Sequence, residues 1–383
     1  MAIQNNLTFT KFRVYEVVVP ARADILSAPS KGAVYVGTTS WPDMPIHLIE
    51  GVTSQGFTAL GECGRGTSRA VVENTLRDLL GRNLLEKTPA TLWMGSGDLP
   101  QSYPFFSWTL AGQRSYQLME SLWLDAVGKA SGLPVHQLLG GAVRNEVLTA
   151  FWANRPPAAT LRALIHEAVE KGLNGIKIKS DSTCDTAKAI VEIAADIPAD
   201  FRVTIDPMSS WRSLRESVRW IEKLAALPFN IILEDPFPAL AVEDWREARN
   251  FNPLTIVLHA RDESELRKGL RDEMADAYNL AGSGAYDFLR TTVVAESFAK
   301  DCWHGSALEL GVYQHVRLHA AACARNCVLA SDLQSEWVRE HTLVTPRMEY
   351  HGTYAVVPNR PGLGVELDHA AVKKYLRSEF EVQ

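Results

Sequence analysis

The sequence contains no run near the roughly 20 consecutive apolar residues that span a bilayer, so no part of it reads as a membrane helix. Its start, MAIQNNLTFTKFRVYEVVVP, lacks the basic segment, apolar core and small-residue cleavage site of a secretory signal. Cysteine is scarce and scattered: Cys63, Cys184, Cys302, Cys323 and Cys327 are odd in number and include no C-x-x-C pair. This spacing indicates neither a disulfide framework nor a thiolate zinc site. Basic residues are not in excess, since 39 Lys and Arg against 45 Asp and Glu leave a formal net charge of −6. That balance gives no basis for nucleic-acid binding. What is present, 46% hydrophobic and 22% charged residues over 383 positions, is ordinary for a globular enzyme-sized chain, expected in the cytoplasm.

Two textures divide the chain. In the first 145 residues, PIHLIEGVTSQGFTALGE (45–62) reads as two strands around a turn, and AVVENTLRDLLGRNLL and SYQLMESLWLDAVGKA read as helices. From about Val147, short apolar runs alternate with amphipathic stretches such as LRALIHEAVEKGL. Eight runs are distinguishable: VLTAFWA, GIKIK, FRVTID, NIILED, TIVLHARD, DAYNLAG, CWHG and CVLASD. Such alternation predicts parallel strands with helical crossovers, either a (β/α)8 barrel or a doubly wound open sheet.

A spacing carries the chemistry. Lys179, Asp206, Glu234 and Asp262 each end or immediately follow an apolar run, at intervals of 27, 28 and 28 residues, one βα unit apart. In a parallel barrel this places them on the C-terminal rim, where such folds build their sites. Three converging carboxylates raise one another's pKa unless a counter-charge is present. A hard divalent cation supplies it, and carboxylate oxygen is the donor that magnesium prefers. The bland reading is that strand-end acids cap the following helices. Lys177 and Lys179 alternate with Ile176 and Ile178, so both amines share one strand face. A buried amine beside a cation suits a general base; the alternative is a solvated lysine face on an edge strand.

These segments together resemble the enolase superfamily, in its mandelate racemase and muconate-lactonizing branch. MESLWLDAVGKASGLPVHQLLGGAVR (119–144) resembles the helix and turn closing that family's capping domain. GIKIK resembles its Lys-x-Lys strand, TIDP, ILEDP and ARDES its three metal-ligand strand ends, and RPGLGVELD (360–368) its returning tail. The resemblance implies an α/β fold, a modified (β/α)8 TIM-type barrel beneath an α+β cap. The cap would span 1–145, the barrel 146–345, and a tail at 346–383 would return to the cap. It also implies a Mg2+ site at Asp206, Glu234 and Asp262, and abstraction of a proton α to a carboxylate. Lys179 would be the base, and Lys177 would tune it and touch the substrate carboxylate.

Several positions depart from the pattern. Met208 stands where the family often has Asn. The sixth strand offers Ala281 or Gly282 where relatives with two lysines place the second, and Asp276 lies at the opposite end of that run. His304 on the seventh strand is a candidate general acid. His259 is read as a strand-interior residue rather than a further ligand. Glu309, Asp332 and Glu336 are candidate substrate contacts beyond the seventh and eighth strands, with Trp41 and Arg65 as candidates in the cap. The Phe105, Phe106 and Trp108 cluster is read as core or interface. These features predict dehydration of a hydroxy acid, most plausibly a sugar acid, to a 2-keto acid. A racemase, epimerase or cycloisomerase on the same scaffold is the nearest rival, and a non-catalytic acid-binding paralogue the second. The expected partners are a small-molecule carboxylate and further copies of the chain as a homo-oligomer, with no nucleic acid and no membrane.

Overall fold

Barrel strands form where β-branched residues alternate with residues that need the interior. The structure, a computed structural model, describes residues 6–25, 35–36, 39–40, 44–86, 88, 110–180, 185–251, 253–281 and 284–383. Seven parallel strands make one sheet in sequential order. Numbered within the barrel, they are β1 (Phe151–Asn154), β2 (Gly175–Lys179), β3 (Arg202–Asp206), β4 (Asn230–Glu234), β5 (Thr255–Ala260), β6 (Ala277–Leu280) and β7 (Asp301–His304). In β2, Ile176 and Ile178 are fully buried. Their period of two leaves Lys177 and Lys179 on the other face. Ile232, Val257, Ala277 and Trp303, one from each of β4 to β7, form a separate buried cluster.

Two of the eight expected strands differ from their runs. VLTAFWA is split at Thr149. Glu146–Leu148 pairs antiparallel with Tyr354–Val356 instead, and only Phe151–Asn154 joins the barrel. Thr149 forces the change of direction: its N–H donates to Thr353 O at 2.9 Å and its hydroxyl to Ser331 O at 3.0 Å. CVLASD forms no ladder. It closes the sheet through single parallel bridges, Cys302↔Cys327 on one side and Thr149↔Ser331 on the other. The Asp332 N–H donates to His304 O at 2.9 Å, and Ser331 N–H to Leu148 O at 2.8 Å. Backbone groups at the seam are thus satisfied without a regular strand.

Over the strand ends lies a four-stranded antiparallel sheet, ordered Leu376–Val382, Phe9–Val17, Ile46–Thr53 and Thr58–Cys63. The Leu110–Ser131 helix packs across it, with Leu118 and Leu122 buried in its core. Gly61 permits this approach, since a Cβ there would meet Leu122 Cγ at 2.6 Å. Two buried glutamates join this layer to the barrel. Glu62 accepts from Leu310 N at 2.6 Å and Tyr313 N at 2.9 Å, at the start of the Gly311–Cys323 helix. Glu120 accepts from Ala285 N at 2.7 Å and Tyr286 N at 3.2 Å, at the start of the Ala285–Glu296 helix. Both carboxylates satisfy orphan helix donors at the positive end of the dipole. No helix among the described residues is long and apolar enough to cross a membrane.

Candidate active site

Strand register brings the charged strand ends together. Lys179 is directly paired with Asp206 across β2 and β3. Ile232↔Thr204 and Leu233↔Ile205 set the next positions, Asp206 and Glu234, level across β3 and β4. Lys177 is 95% buried, and its Nζ lies 2.6 Å from Glu234 Oε2, 2.9 Å from Asp332 Oδ2 and 3.9 Å from Asp206 Oδ2. Lys179 Nζ donates to Asp206 Oδ2. Asp206 Oδ1 accepts from Met208 N at 2.9 Å, and Glu234 Oε1 from Asn279 Nδ2 at 2.7 Å. A cavity of about 350 Å3 opens above this network, with Lys177, Lys179, Asp206, Asp235, His259, Asp332 and Arg65 in its wall.

The electrostatics follow from burial and company. Burial alone would depress the Lys177 ammonium, but Asp332, Glu234 and Asp206 outweigh it and hold its pKa above the usual lysine value. Lys177 is therefore a fixed cation. Burial would also raise Asp206, yet the charges of Lys179 and Lys177 hold it below the usual carboxylate value. Burial, then the Asp206 charge, push Glu234 up to about 7. Asp235 accepts from His259 N at 2.7 Å. Burial, then Asp206 and Glu234, push it up to about 8.

The cavity also collects backbone strain. Among the described residues, eight non-glycine residues have positive φ, and five of them (Arg155, Met208, Ser209, Asp235 and Leu308) line this cavity. Such conformations cost energy, persist where surrounding structure enforces them, and cluster at functional sites.

Several expected site residues stand elsewhere. Asp262 does not line the cavity; its Oδ1 accepts from Glu265 N at 2.9 Å and caps the Glu263–Arg271 helix. The strand end instead presents His259, whose Nε2 is buried without a hydrogen-bond partner. His304 is also absent from the cavity wall. Neighbouring Trp303 takes the interior face of β7, so His304 points outward and stacks on Phe288 at 3.9 Å between centroids. Burial, then the Arg317 charge, push its imidazole well below the ordinary value, which suits a neutral ring rather than an acid. Glu309 is buried against Arg317, with Nη2 2.5 Å from its Oε1, and accepts from Ser306 Oγ at 2.6 Å. It shapes the loop carrying Ser306 and Leu308 instead of lining the cavity. Glu336 pairs with Arg347 at 2.7 Å, also outside the wall. Ala281 follows β6 and carries no titratable group. Trp41, Gly282, Phe105, Phe106 and Trp108 lie outside the described residues.

Whether these residues suit the metal implied by the fold is a question of donors and charge. Asp206, Glu234 and Asp332 lie within 4 Å of Lys177 Nζ, and Asp206 also accepts from Lys179. Asp206 lines the cavity and Glu234 lies behind the wall against Lys177, and both carry hard oxygen donors. As placed, no three His, Cys, Asp or Glu side chains among the described residues are grouped to hold an ion, because the lysines pair with the acids and Asp262 caps its helix. Two of the three expected donors, Asp206 and Glu234, stand together at the strand ends; the third, Asp262, does not.

Comparison with known proteins gives this geometry a lineage. The family described as enolase C-terminal domain-like matches residues 160–371. Muconate cycloisomerase 1 of Rhodococcus opacus is 25% identical over 379 residues, covering 94% of this chain and 99% of its own. A probable glucarate dehydratase of Streptomyces coelicolor is 26% identical over 372 residues, covering 85% of this chain and 83% of its own. In three dimensions, N-succinyl Arg/Lys racemase from Bacillus cereus superposes with a TM-score of 0.80 at 17% identity, covering 98% of this chain and 100% of that one. Strand order, the Lys-x-Lys strand and the acid-bearing strand ends thus have one explanation: this chain belongs to the enolase C-terminal domain-like family, in the mandelate racemase and muconate-lactonizing branch of the enolase superfamily.

Proposed function

We propose that the chain removes the proton α to a substrate carboxylate with Mg2+ bound at Asp206 and Glu234, and that the net reaction is dehydration of a hydroxy acid to a 2-keto acid. One observation carries this reading: Lys179 ends β2 at the cavity, whereas β6 ends in Leu280 and is followed by Ala281, neither of which can move a proton. A single base serves elimination better than inversion, which takes a proton on one face and delivers it on the other. The bound ion would supply positive charge where the enolate oxygens develop, the largest electrostatic requirement of this chemistry.

The chain's own groups do the rest. Lys177, held charged by its three carboxylate neighbours, orients the substrate carboxylate and fixes the floor of the site. Lys179, as free amine, takes the α-proton. As ammonium it then returns that proton to the departing β-hydroxyl on the same face, a role in which it replaces the expected His304. Asp332 holds Lys177 in place. The enol tautomerises to the 2-keto acid after water leaves. The protein is further read as a cytoplasmic homo-oligomer acting on a small carboxylate.

The test is a sugar-acid library incubated with the protein and Mg2+, scored for 2-keto acid. Release of keto acid from at least one member, lost in Lys179→Ala, supports the reading. Ligand binding without turnover, or wild-type rates in Lys179→Ala, contradicts it.

A further inference from the structure

The sequence scatters its cysteines, and the fold brings two of them together. Cys302 on β7 and Cys327 on the closing segment are partners in one of the parallel bridges that close the barrel. The Cys302 N–H donates to Asn326 O at 2.9 Å and the Leu329 N–H to Cys302 O at 3.2 Å, which fixes the two in register. Residues paired across adjacent strands project to the same side of the sheet. Trp303 takes the interior, so both thiols lie on the outer face, beneath the helices and away from the cavity. Both are free and buried, and their side chains are hydrogen-bonded to each other.

The two sulfurs are not equivalent. Cys327 Sγ lies 3.5 Å from Ser331 Oγ, and the Arg144 guanidinium donates to Cys327 O and, at 2.8 Å, to Arg325 O. The hydrogen bond from Cys302 pulls the Cys327 thiol below its ordinary value against burial, and Ser331 and Arg144 add to the pull. The same bond, then burial, push Cys302 well above it. This asymmetry makes Cys327 the nucleophile and Cys302 the resolving partner. Cys63 and Cys323 stand apart: their sulfurs donate to Arg114 O at 3.7 Å and His319 O at 3.2 Å, and burial pushes each thiol up to about 11. Access to the pair comes through the closing segment. Val328, beside Cys327, is 45% exposed, and single bridges rather than a ladder hold the segment, so it opens locally with little loss of bonding.

We propose that Cys302 and Cys327 are a redox-active dithiol, which a peroxide converts to a disulfide across the barrel seam, independently of the reaction at the cavity. The Cys327 thiolate attacks a peroxide oxygen, the O–O bond breaks, and water leaves a sulfenic acid on Cys327. The Cys302 sulfur then attacks the Cys327 sulfur, the S–O bond breaks, and a second water departs. Two thiols thereby lose two protons and two electrons, and the peroxide takes them up as two waters. Neighbouring strands stand about 4.8 Å apart, inside the roughly 4.4–6.8 Å between Cα atoms that a disulfide accepts. Cβ atoms at that spacing are wider than the roughly 3.8 Å of a relaxed disulfide, so the bond closes under strain and a dithiol reductant reopens it.

Peptide mass spectrometry tests this directly. The folded wild-type chain is treated with hydrogen peroxide, quenched, denatured, alkylated and digested with trypsin without reductant. Trypsin releases Asp301–Arg317 and Asn326–Arg339 as separate peptides, each with one of the two cysteines. The expected product is these two peptides linked, lighter than their sum by two hydrogens, with Cys63 and Cys323 recovered alkylated. Dithiothreitol before alkylation restores both thiols. In Cys302→Ser the sulfenic acid has no resolving thiol and dimedone traps it on Cys327. In Cys327→Ser, Cys302 gives about tenfold less adduct. The wild-type linkage is read without either variant, so a variant that folds poorly does not decide the outcome. Recovery of both cysteines as alkylated thiols, linkage of either to another cysteine, or oxidation of Cys63 or Cys323 at the same rate would overturn the proposal. So would a link that forms only when peroxide is added after unfolding. A dimedone adduct on Cys302 rather than Cys327 would overturn the roles assigned to them.

Discussion

At the residue scale, the account depends on two lysines with different duties. Lys177 is enclosed by three carboxylates and remains charged. Replacing it by Met leaves Glu234 and Asp332 buried without their cation, which costs about 3–5 kcal/mol of stability at neutral pH. Urea denaturation checks this, and the deficit shrinks on acidification as the freed carboxylates protonate. Lys179 is less enclosed. Lys179→Ala lowers turnover by about 1,000-fold in initial-rate assays, within the range for loss of a general base, with the fold intact by circular dichroism. The level placement of Lys179, Asp206 and Glu234 at successive strand ends was legible from spacing alone, because one βα unit separates them. Asp262 obeyed the same spacing yet left the site, since an Asp before a helix can cap it and Glu265 N offered the bond. His304 could have been excluded by alternation. Trp303 registers with Asn279, which faces Glu234 in the interior, so the next residue on β7 points outward.

At the scale of elements, the cap and barrel are joined by side chains reaching across long sequence distances. Glu62 caps a helix 248 residues away and Glu120 one 165 residues away. No local pattern marks such pairs, so sequence reading missed them. Burial is the largest influence on both, and each is pushed from 4.5 to about 7 despite the helix N–H donors. The folded state therefore holds protons that the unfolded chain has released. The stability these groups contribute is complete below about pH 4.5 and is lost as pH rises through 7. In Glu62→Gln and Glu120→Gln that part of the dependence disappears. Thermal unfolding across pH 5 to about 8 should give a flatter profile for each variant. A slope equal to wild type would show that the helix dipoles fully offset burial.

At the scale of the whole molecule, the alternation of strand and helix was legible because parallel strands, covered on both faces, read as short apolar runs. The closing segment was not, because 327–332 uses single bridges rather than a ladder. The cap sheet was half-legible. Its Ile46–Thr53 and Thr58–Cys63 strands stand close together in sequence, but the Leu376–Val382 edge strand pairs with Phe9–Val17 from the opposite end of the chain. Removing 376–382 would expose the Phe9–Val17 edge and lower the unfolding temperature, with aggregation visible by light scattering. Divalent cation acts at the same scale. Mg2+ that binds only the folded chain raises its melting temperature in a concentration-dependent way, and Asp206→Asn abolishes that increase.

The central claim is that a single lysine takes hydrogen from carbon and the same face then loses water. Mass and proton spectra of a reacting sugar acid in deuterated water with Mg2+ test it most directly. The account predicts a 2-keto acid accumulating while unreacted substrate stays free of deuterium at its α-carbon. Deuterium entering recovered substrate with no loss of water would contradict it and identify an isomerase.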